Sequence, residues 1–160
     1  MIAYLDASAL VKRYIVERGS RETIALTAAS EMIATSIVSR AEVAAAFAKA
    51  VRAGLVKDEL ARNARRRFAG DWPDIVRVSV TEALVERAEG LAWEHGLRGY
   101  DALQLASALT WQESVGEQAM LATFDHQLWD AAKRTDLKAW PDQLPGAMSE
   151  PPEPRKGASR

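Results

Sequence analysis

The sequence predicts an α/β fold built on a mostly parallel central sheet of four to five strands. Short runs of apolar, strand-forming residues alternate along the chain with longer stretches of helical periodicity. Breaks such as Gly19-Ser20 and the Gly-Asp-Trp-Pro segment at 70–73 separate these runs. Strands separated by helices favour parallel pairing, because a parallel pair needs a crossover connection between its strands.

The first half of the chain is predicted to hold three strands and four helices. The strands are 2–5 (IAYL), 32–36 (MIATS) and 75–80 (IVRVSV), which are short, apolar and partly β-branched. Apolar residues recur at helical spacing between them, and alanine is frequent in the third helical stretch. The predicted helices are 8–18, 20–30, 39–52 and 56–68.

The second half is predicted to continue the alternation of helices and strands. Thr81 is expected to cap a helix that Gly96 ends, and a helix over 100–113 follows. Residues 119–124 and 137–140 are predicted strands on either side of a helix over 126–134.

The chain is expected to form one domain over residues 1–140, followed by a tail. A domain of this length buries roughly 70% of its unfolded surface, so it needs no disulfide or structural metal. Residues 141–160 hold five of the six prolines and few apolar residues, which predicts a disordered tail.

Composition excludes several kinds of chemistry. The chain has no cysteine, so it offers no thiol nucleophile, disulfide framework or cysteine-based zinc site. Its two histidines form no H-E-x-x-H motif, and no phosphate-binding glycine loop is present. The start MIAYLDASAL lacks a basic leader, and the longest apolar run, 43–48, is too short to cross a bilayer. We therefore expect a soluble, cytoplasmic protein without membrane contact.

The net charge of −1 hides a local basic stripe between Gly54 and Gly70. Two interpretations stay open for it: a solvated helix face, or a surface that contacts the phosphates of a nucleic acid. The stripe consists of Lys57, Arg62, Arg65, Arg66 and Arg67.

Four carboxylates fall where a parallel sheet would place a ligand. Asp6 and Asp125 follow predicted strands, and Glu42 and Asp101 lie in the first turns of predicted helices. In open parallel sheets the ligand crevice lies outside the carboxyl ends of the strands, so all four could face it.

Each acid has a structural alternative when it is considered alone. Asp6 and Asp125 could cap helices, Ser39 and Glu42 form a capping-box pattern, and Asp101 suits a helix dipole. Capping gives no reason for all four to share one edge, so the combined pattern favours a metal site. Divalent cations such as Mg²⁺ prefer oxygen ligands and can activate water for attack on a phosphodiester.

Four motifs in order resemble PIN-domain ribonucleases, and particularly the VapC toxins of bacterial toxin–antitoxin pairs. The D-x-S-A-L start at 6–10 and the S-x-x-E segment at 39–42 are the first two. The D-A-L-x-L-A-S-A helix at 101–108 and the T-x-D-x-x-L segment at 123–128 complete the set. The similarity covers about residues 1–140.

The resemblance implies a three-layer α/β/α PIN fold and an endoribonuclease that needs Mg²⁺ or Mn²⁺. Asp6, Glu42, Asp101 and Asp125 match the acidic quartet of the family, and Ser8 and Thr123 match its supporting hydroxyl residues. Family members usually form homodimers, and a VapB antitoxin covers their active site in heterotetramers or larger assemblies. Arg40 is a candidate for substrate contact, as are Arg65, Arg66 and Arg67 of the basic stripe; a solvent-facing role is the alternative.

Three competing functions are less consistent with the residues. A phosphatase with an aspartate nucleophile usually has a second aspartate two positions on, where this chain has Ser8. A signalling receiver would have an adjacent acidic pair, but residue 7 is alanine. A PIN-like scaffold that binds RNA or protein without activity would be expected to have lost one of the four acids.

Overall fold

Five parallel strands form the central sheet in a computed structural model of the protein, which describes residues 1–144. Their spatial order is β3-β2-β1-β4-β5, so β1 lies at the centre of the sheet. The predicted parallel sheet is confirmed, and its five strands are the upper limit of the four to five that were predicted. The strands are β1 (Ile2–Leu5), β2 (Met32–Ser36), β3 (Val76–Val78), β4 (Ala119–Ala122) and β5 (Lys138–Trp140).

Seven α-helices connect the strands within the described residues. A short 3-10 helix, Trp72–Asp74, also precedes β3. The α-helices are α1 (Ala7–Val11), α2 (Ser20–Ala29), α3 (Ser39–Arg52), α4 (Asp58–Asp71), α5 (Glu82–His95), α6 (Gly99–Val115) and α7 (His126–Ala132).

The two faces of β1 bury alternate side chains against two separate helical layers. Ile2 and Tyr4 belong to the core formed with α5, α6 and α7. Ala3 and Leu5 belong to the core formed with α1 to α4. All four side chains are completely buried, as expected for a central strand covered on both faces. The molecule is therefore the three-layer α/β/α sandwich that the resemblance implied.

Several elements are shorter than predicted, and three of them show a local reason. The first helix ends at Val11 rather than 18, because the amides of Arg13 and Tyr14 donate to carbonyls three residues back and form turns. The Tyr14 ring there packs against Phe68 of α4, with ring centroids 5.3 Å apart. β4 ends at Ala122, since the Phe124 amide donates to the Ser8 hydroxyl instead of a neighbouring strand. β3 spans three residues and lies at the edge of the sheet, where it pairs with β2 alone.

The described chain continues past the predicted domain boundary at residue 140. The Trp129 indole donates to the Pro141 carbonyl at 2.7 Å, and the Leu144 side chain is buried. The rest of the predicted tail, 145–160, lies outside the described residues. Of the helices in residues 1–144, none combines the length and hydropathy needed to span a bilayer.

Gly19 and Gly54 provide a matched test of how tightly the loop before Asp125 is packed. Both have positive φ, but a Cβ on Gly19 would lie 2.7 Å from the Phe124 ring, whereas one on Gly54 would meet nothing within 4 Å. We expect Gly54→Ala to lose about 1 kcal/mol of unfolding free energy from the backbone alone. Gly19→Ala should lose a further 1–3 kcal/mol, roughly the cost of overpacking, in urea denaturation. Equal losses in the two variants would contradict this packing.

Candidate active site at the carboxyl ends of the strands

Asp6 and Asp125 follow two neighbouring strands and begin two helices. Asp6 Oδ1 accepts a hydrogen bond from the Ala9 amide at 2.9 Å at the start of α1. Asp125 Oδ1 accepts one from the Leu128 amide at 3.0 Å at the start of α7. The capping role considered for these two acids is therefore present, and it leaves a second oxygen of each carboxylate for other contacts.

The buried Asp6 carboxylate connects the loops after β1 and β4. Its oxygens accept hydrogen bonds from the Ser8 and Thr123 hydroxyls, both at 2.7 Å. The same two hydroxyls accept from the Phe124 and Asp125 amides at 2.8 and 3.1 Å. Ser8 and Thr123, which were predicted to support the acidic residues, thus contact Asp6 directly and fix its orientation.

Glu42 and Asp101 are held by side chains rather than by helix amides. Glu42 Oε2 accepts from the Gln104 amide at 2.6 Å. Glu42 makes no capping-box hydrogen bond within the described residues, since α3 begins at Ser39 and Val38 occupies its N-cap. Asp101 Oδ2 accepts from Arg98 Nε at 2.8 Å, and Arg98 Nη2 reaches Asp125 Oδ2 at the same distance.

One open cavity of about 830 Å³ brings the four acids together. It lies outside the carboxyl ends of β1 and β4, as the rule for parallel sheets predicts. Apolar side chains from α1, α3 and the loops after them form much of the remaining lining, together with Lys12, Glu17 and Lys49. The four candidate acids that line the cavity are Asp6, Glu42, Asp101 and Asp125, and the apolar wall includes Val11, Ile15, Val16, Ala46, Ala50, Leu55 and Val56.

Burial and mutual repulsion raise the pKa values of three of the acids. Burial raises the pKa of Asp6 to about 6 against the hydrogen bonds that favour its charged form, and Asp125 adds to the shift. Burial also raises the pKa of Glu42, with further contributions from Asp6 and Asp101. The pKa of Asp101 rises through burial and the charge of Asp125. The cavity therefore concentrates negative charge that a cation would neutralise.

The donor set suits a hard divalent cation, although its oxygens are not gathered around one point. Within residues 1–144, no three acidic or histidine side chains are arranged so as to enclose an ion. The Arg98 guanidinium instead supplies the positive charge between Asp101 and Asp125, in the place of a metal ion. Carboxylate oxygens are the ligands that Mg²⁺ prefers, so the residues fit the ion chemically.

The four arginines singled out from the sequence lie away from the cavity lining. Arg65 and Arg66 line a separate shallow cavity on α4. Arg67 and Arg40 place their guanidinium groups over the rings of Tyr14 and Trp72, at 5.7 and 5.4 Å. The structure thus does not bring them to the carboxylates, and their contact with a substrate stays a prediction.

Sequence reasoning missed the polar residues that actually accompany the acids. The basic side chains that line the cavity are Lys12, Lys49 and Arg98, and Gln104 contributes an amide. Arg98 and Gln104 stand three residues before and after Asp101, a spacing that places helical side chains near one another. That spacing from Asp101 could have identified Arg98 and Gln104 in the sequence.

The family of the chain follows from comparisons with known proteins. The model of the PIN domain family matches residues 3–134. Two curated proteins of Mycobacterium tuberculosis, Ribonuclease VapC45 of strain CDC 1551 / Oshkosh and Ribonuclease VapC49 of strain ATCC 25618 / H37Rv, are each 36% identical over 145 residues. The alignments cover 89% of this chain and 97% of each relative. The chain belongs to the PIN-domain family.

A solved structure shares the fold at lower sequence identity. The crystal structure of VapBC2 from Rickettsia felis bound to a DNA fragment from their promoter matches with a TM-score of 0.59 and 16% identity. The match covers 87% of this chain and 97% of the other. The 36% identity to the two curated relatives places the chain in the VapC group of that family.

The raised pKa of Asp6 predicts that its charge destabilises the fold near neutral pH. Because the folded-state pKa of about 6 exceeds the unfolded value of about 4, the folded state holds the proton more tightly. Its contribution to stability therefore falls as pH rises from about 4 to about 6, by roughly 3 kcal/mol. Asp6→Asn should gain stability relative to the wild type by an amount of this order between pH 4 and pH 7, measured by urea denaturation in EDTA. The exposed Asp58→Asn is the control, and an unchanged pH profile in Asp6→Asn would contradict the assignment.

Proposed function

We propose that the protein is an endoribonuclease that depends on Mg²⁺ or Mn²⁺ and cleaves phosphodiester bonds at the acidic cavity. The observation that supports this most is the lining of one cavity by Asp6, Glu42, Asp101 and Asp125. Its relatives are named ribonucleases, which supports nuclease activity and an RNA substrate independently of the geometry.

The proposed mechanism assigns a task to each group of residues. The four carboxylates would hold the metal, which would supply water activation near neutral pH and positive charge for the phosphate. Ser8 and Thr123 keep the Asp6 oxygens oriented through their 2.7 Å hydrogen bonds. Lys12, Lys49 and Arg98 bring positive charge to the cavity for the RNA backbone.

The exposed Arg98 side chain has two partners available in this proposal. It bridges Asp101 and Asp125 in the structure, and its exposure allows it to turn towards a phosphate instead. With the charge of these two acids neutralised by a cation, Arg98 would be free to contact substrate. In this proposal the position of Arg98 would couple metal binding to substrate binding.

We also propose that the nuclease is the toxin of a toxin–antitoxin pair and that a VapB-type antitoxin covers the cavity. The apolar wall beside the acids supports this, because Val16 and Leu55 are 96% and 80% exposed there. Apolar residues exposed at a cavity are typical of a binding surface. A short upstream gene for a DNA-binding protein would support the same assignment.

A cytoplasmic homodimer, which joins the antitoxin in heterotetramers or larger assemblies, completes the proposal. Trp93 is 92% exposed on α5, and Val85 of the same helix and Tyr100 of α6 are also exposed. Large apolar side chains exposed on one helical layer are candidates for contact with a second copy of the chain. This surface lies on the α5–α6 layer, which does not supply the apolar wall of the cavity.

Replacing Asp6 tests the proposed catalysis directly. Asp6→Asn should abolish cleavage of RNA while the fold is retained, because the amide cannot replace a charged metal ligand. The matched control is Asp58→Asn, which alters an exposed ion pair with Arg62 and should cleave like the wild type. Cleavage assays with Mg²⁺, Mn²⁺ or excess EDTA provide the measurement. Full activity of Asp6→Asn, or undiminished wild-type cleavage in EDTA, would defeat the metal mechanism.

The basic stripe on α4 is tested by the salt dependence of RNA binding. Replacing Arg65, Arg66 and Arg67 with alanine should weaken binding and reduce the slope of log K against log salt by about 2, since each phosphate contact on a single strand contributes about 0.7. Fluorescence anisotropy at several salt concentrations measures this slope. An unchanged slope would assign the stripe to a solvated helix face.

A further inference from the structure

A buried polar side chain lies directly behind Glu42. Gln104 is only 2% exposed, and it sits one helical turn after Asp101 on α6. Its side-chain oxygen accepts from the Tyr4 hydroxyl at 2.6 Å. Its side-chain nitrogen donates to Ser39 Oγ at 2.9 Å and to Glu42 Oε2 at 2.6 Å. The amide thus makes three hydrogen bonds, one through its oxygen and one through each of its two N–H donors.

The orientation of this amide follows from Glu42. A carboxylate only accepts hydrogen bonds, so the Gln104 nitrogen faces Glu42 and the Gln104 carbonyl oxygen faces Tyr4. The Tyr4 hydroxyl donates to that oxygen. A flipped amide would place its oxygen 2.6 Å from a Glu42 carboxylate oxygen, where two acceptors repel each other.

One amide hydrogen of Gln104 is donated to the Ser39 hydroxyl, which is joined to β2 through Thr35. Thr35 has a single hydroxyl hydrogen, which it donates to the Leu5 carbonyl at 2.6 Å. The Ser39 hydroxyl, 2.8 Å from the Thr35 hydroxyl, then supplies the hydrogen between those two groups. Ser39 Oγ is left as the acceptor for Gln104. Each donor in this chain of hydrogen bonds therefore faces an acceptor. The remaining amide hydrogen of Gln104 is donated to Glu42.

We propose that Gln104 is a positioning residue that orients Glu42 for metal binding. It holds one carboxylate oxygen, while Oε1 of Glu42 has no hydrogen-bond partner within the described residues and remains available to an ion at the cavity. Partners of this kind orient the ligands of metal sites, and their loss typically weakens metal affinity or activity by about 10- to 100-fold. The inference rests on the proposed metal-dependent function, in which Glu42 is a ligand.

Another glutamine of the same helix provides a matched control. Gln112 lies eight residues later on α6 and accepts from the Ala119 amide at 2.8 Å, at the far end of β4 from the cavity. Its contact fastens a strand to a helix and involves none of the four acids. Gln112→Met therefore removes a structural glutamine only, whereas Gln104→Met removes the positioning amide.

The experiment is titration of the full-length chain with Mn²⁺ by isothermal calorimetry, with circular dichroism to check the fold. Gln104→Met should raise the Kd for Mn²⁺ by about 10- to 100-fold, whereas Gln112→Met should leave it within a few-fold of the wild type. RNA cleavage by Gln104→Met should recover when Mn²⁺ is raised in proportion, because the defect lies in metal affinity. A merely structural defect would not be repaired by added metal.

A second variant keeps the test decisive if the methionine substitution prevents folding. Gln104→Asn retains the amide but shortens its reach by about 1.5 Å, so it cannot contact Tyr4 and Glu42 together. We expect the same loss of Mn²⁺ affinity. Folded variants that bind Mn²⁺ like the wild type would overturn the positioning role alone. A wild-type chain that binds no Mn²⁺ and cleaves RNA in EDTA would overturn the proposed function as well.

Discussion

The parallel pairing of β1 with β4 is the constraint on which the rest of the site depends. Their register places Leu5 beside Ala122, and the Asp6 amide continues the ladder to the Ala122 carbonyl at 3.1 Å. Asp6 and Thr123 therefore leave the sheet side by side, which allows the 2.7 Å hydrogen bond between them. Residues 117 positions apart in sequence meet because two buried strands end together. Glu42 and Asp101 are contributed by α3 and α6, which pack around this junction.

The acidic cavity represents a local conflict between stability and proposed function. Burial and repulsion raise the pKa values of Asp6, Glu42 and Asp101, so their negative charges disfavour the fold near neutral pH. The surrounding hydroxyls, amides and the Arg98 guanidinium offset part of this cost. Buried carboxylates with raised pKa values are expected to cluster where groups are arranged for binding or chemistry, because packing alone gives no reason to bury carboxylates together.

Much of the fold could be predicted from the sequence, because its strands are short apolar runs and its helices have clear periodicity. The carboxyl ends of β1 and β4 could also be predicted to carry Asp6 and Asp125 at helix starts. The end of α1 at Val11 could not, since the chain continues there in i→i−3 turns and the Tyr14 ring packs against Phe68 of a distant helix. The capping box at Ser39 and Glu42 was wrong, because their contacts are made with Gln104 from a distant helix. Arg98 was missed for the same reason, as its bridge to Asp125 depends on tertiary structure.

Crystals grown with Mn²⁺ would show whether the cavity holds a metal ion, since anomalous scattering locates the ion without reference to activity. We expect an anomalous peak in the cavity, about 2.0–2.3 Å from carboxylate oxygens that include Asp6, with Arg98 displaced from Asp101 or Asp125. A fully occupied Mn²⁺ at another surface, with the cavity free of metal and the Arg98 bridges intact, would contradict it.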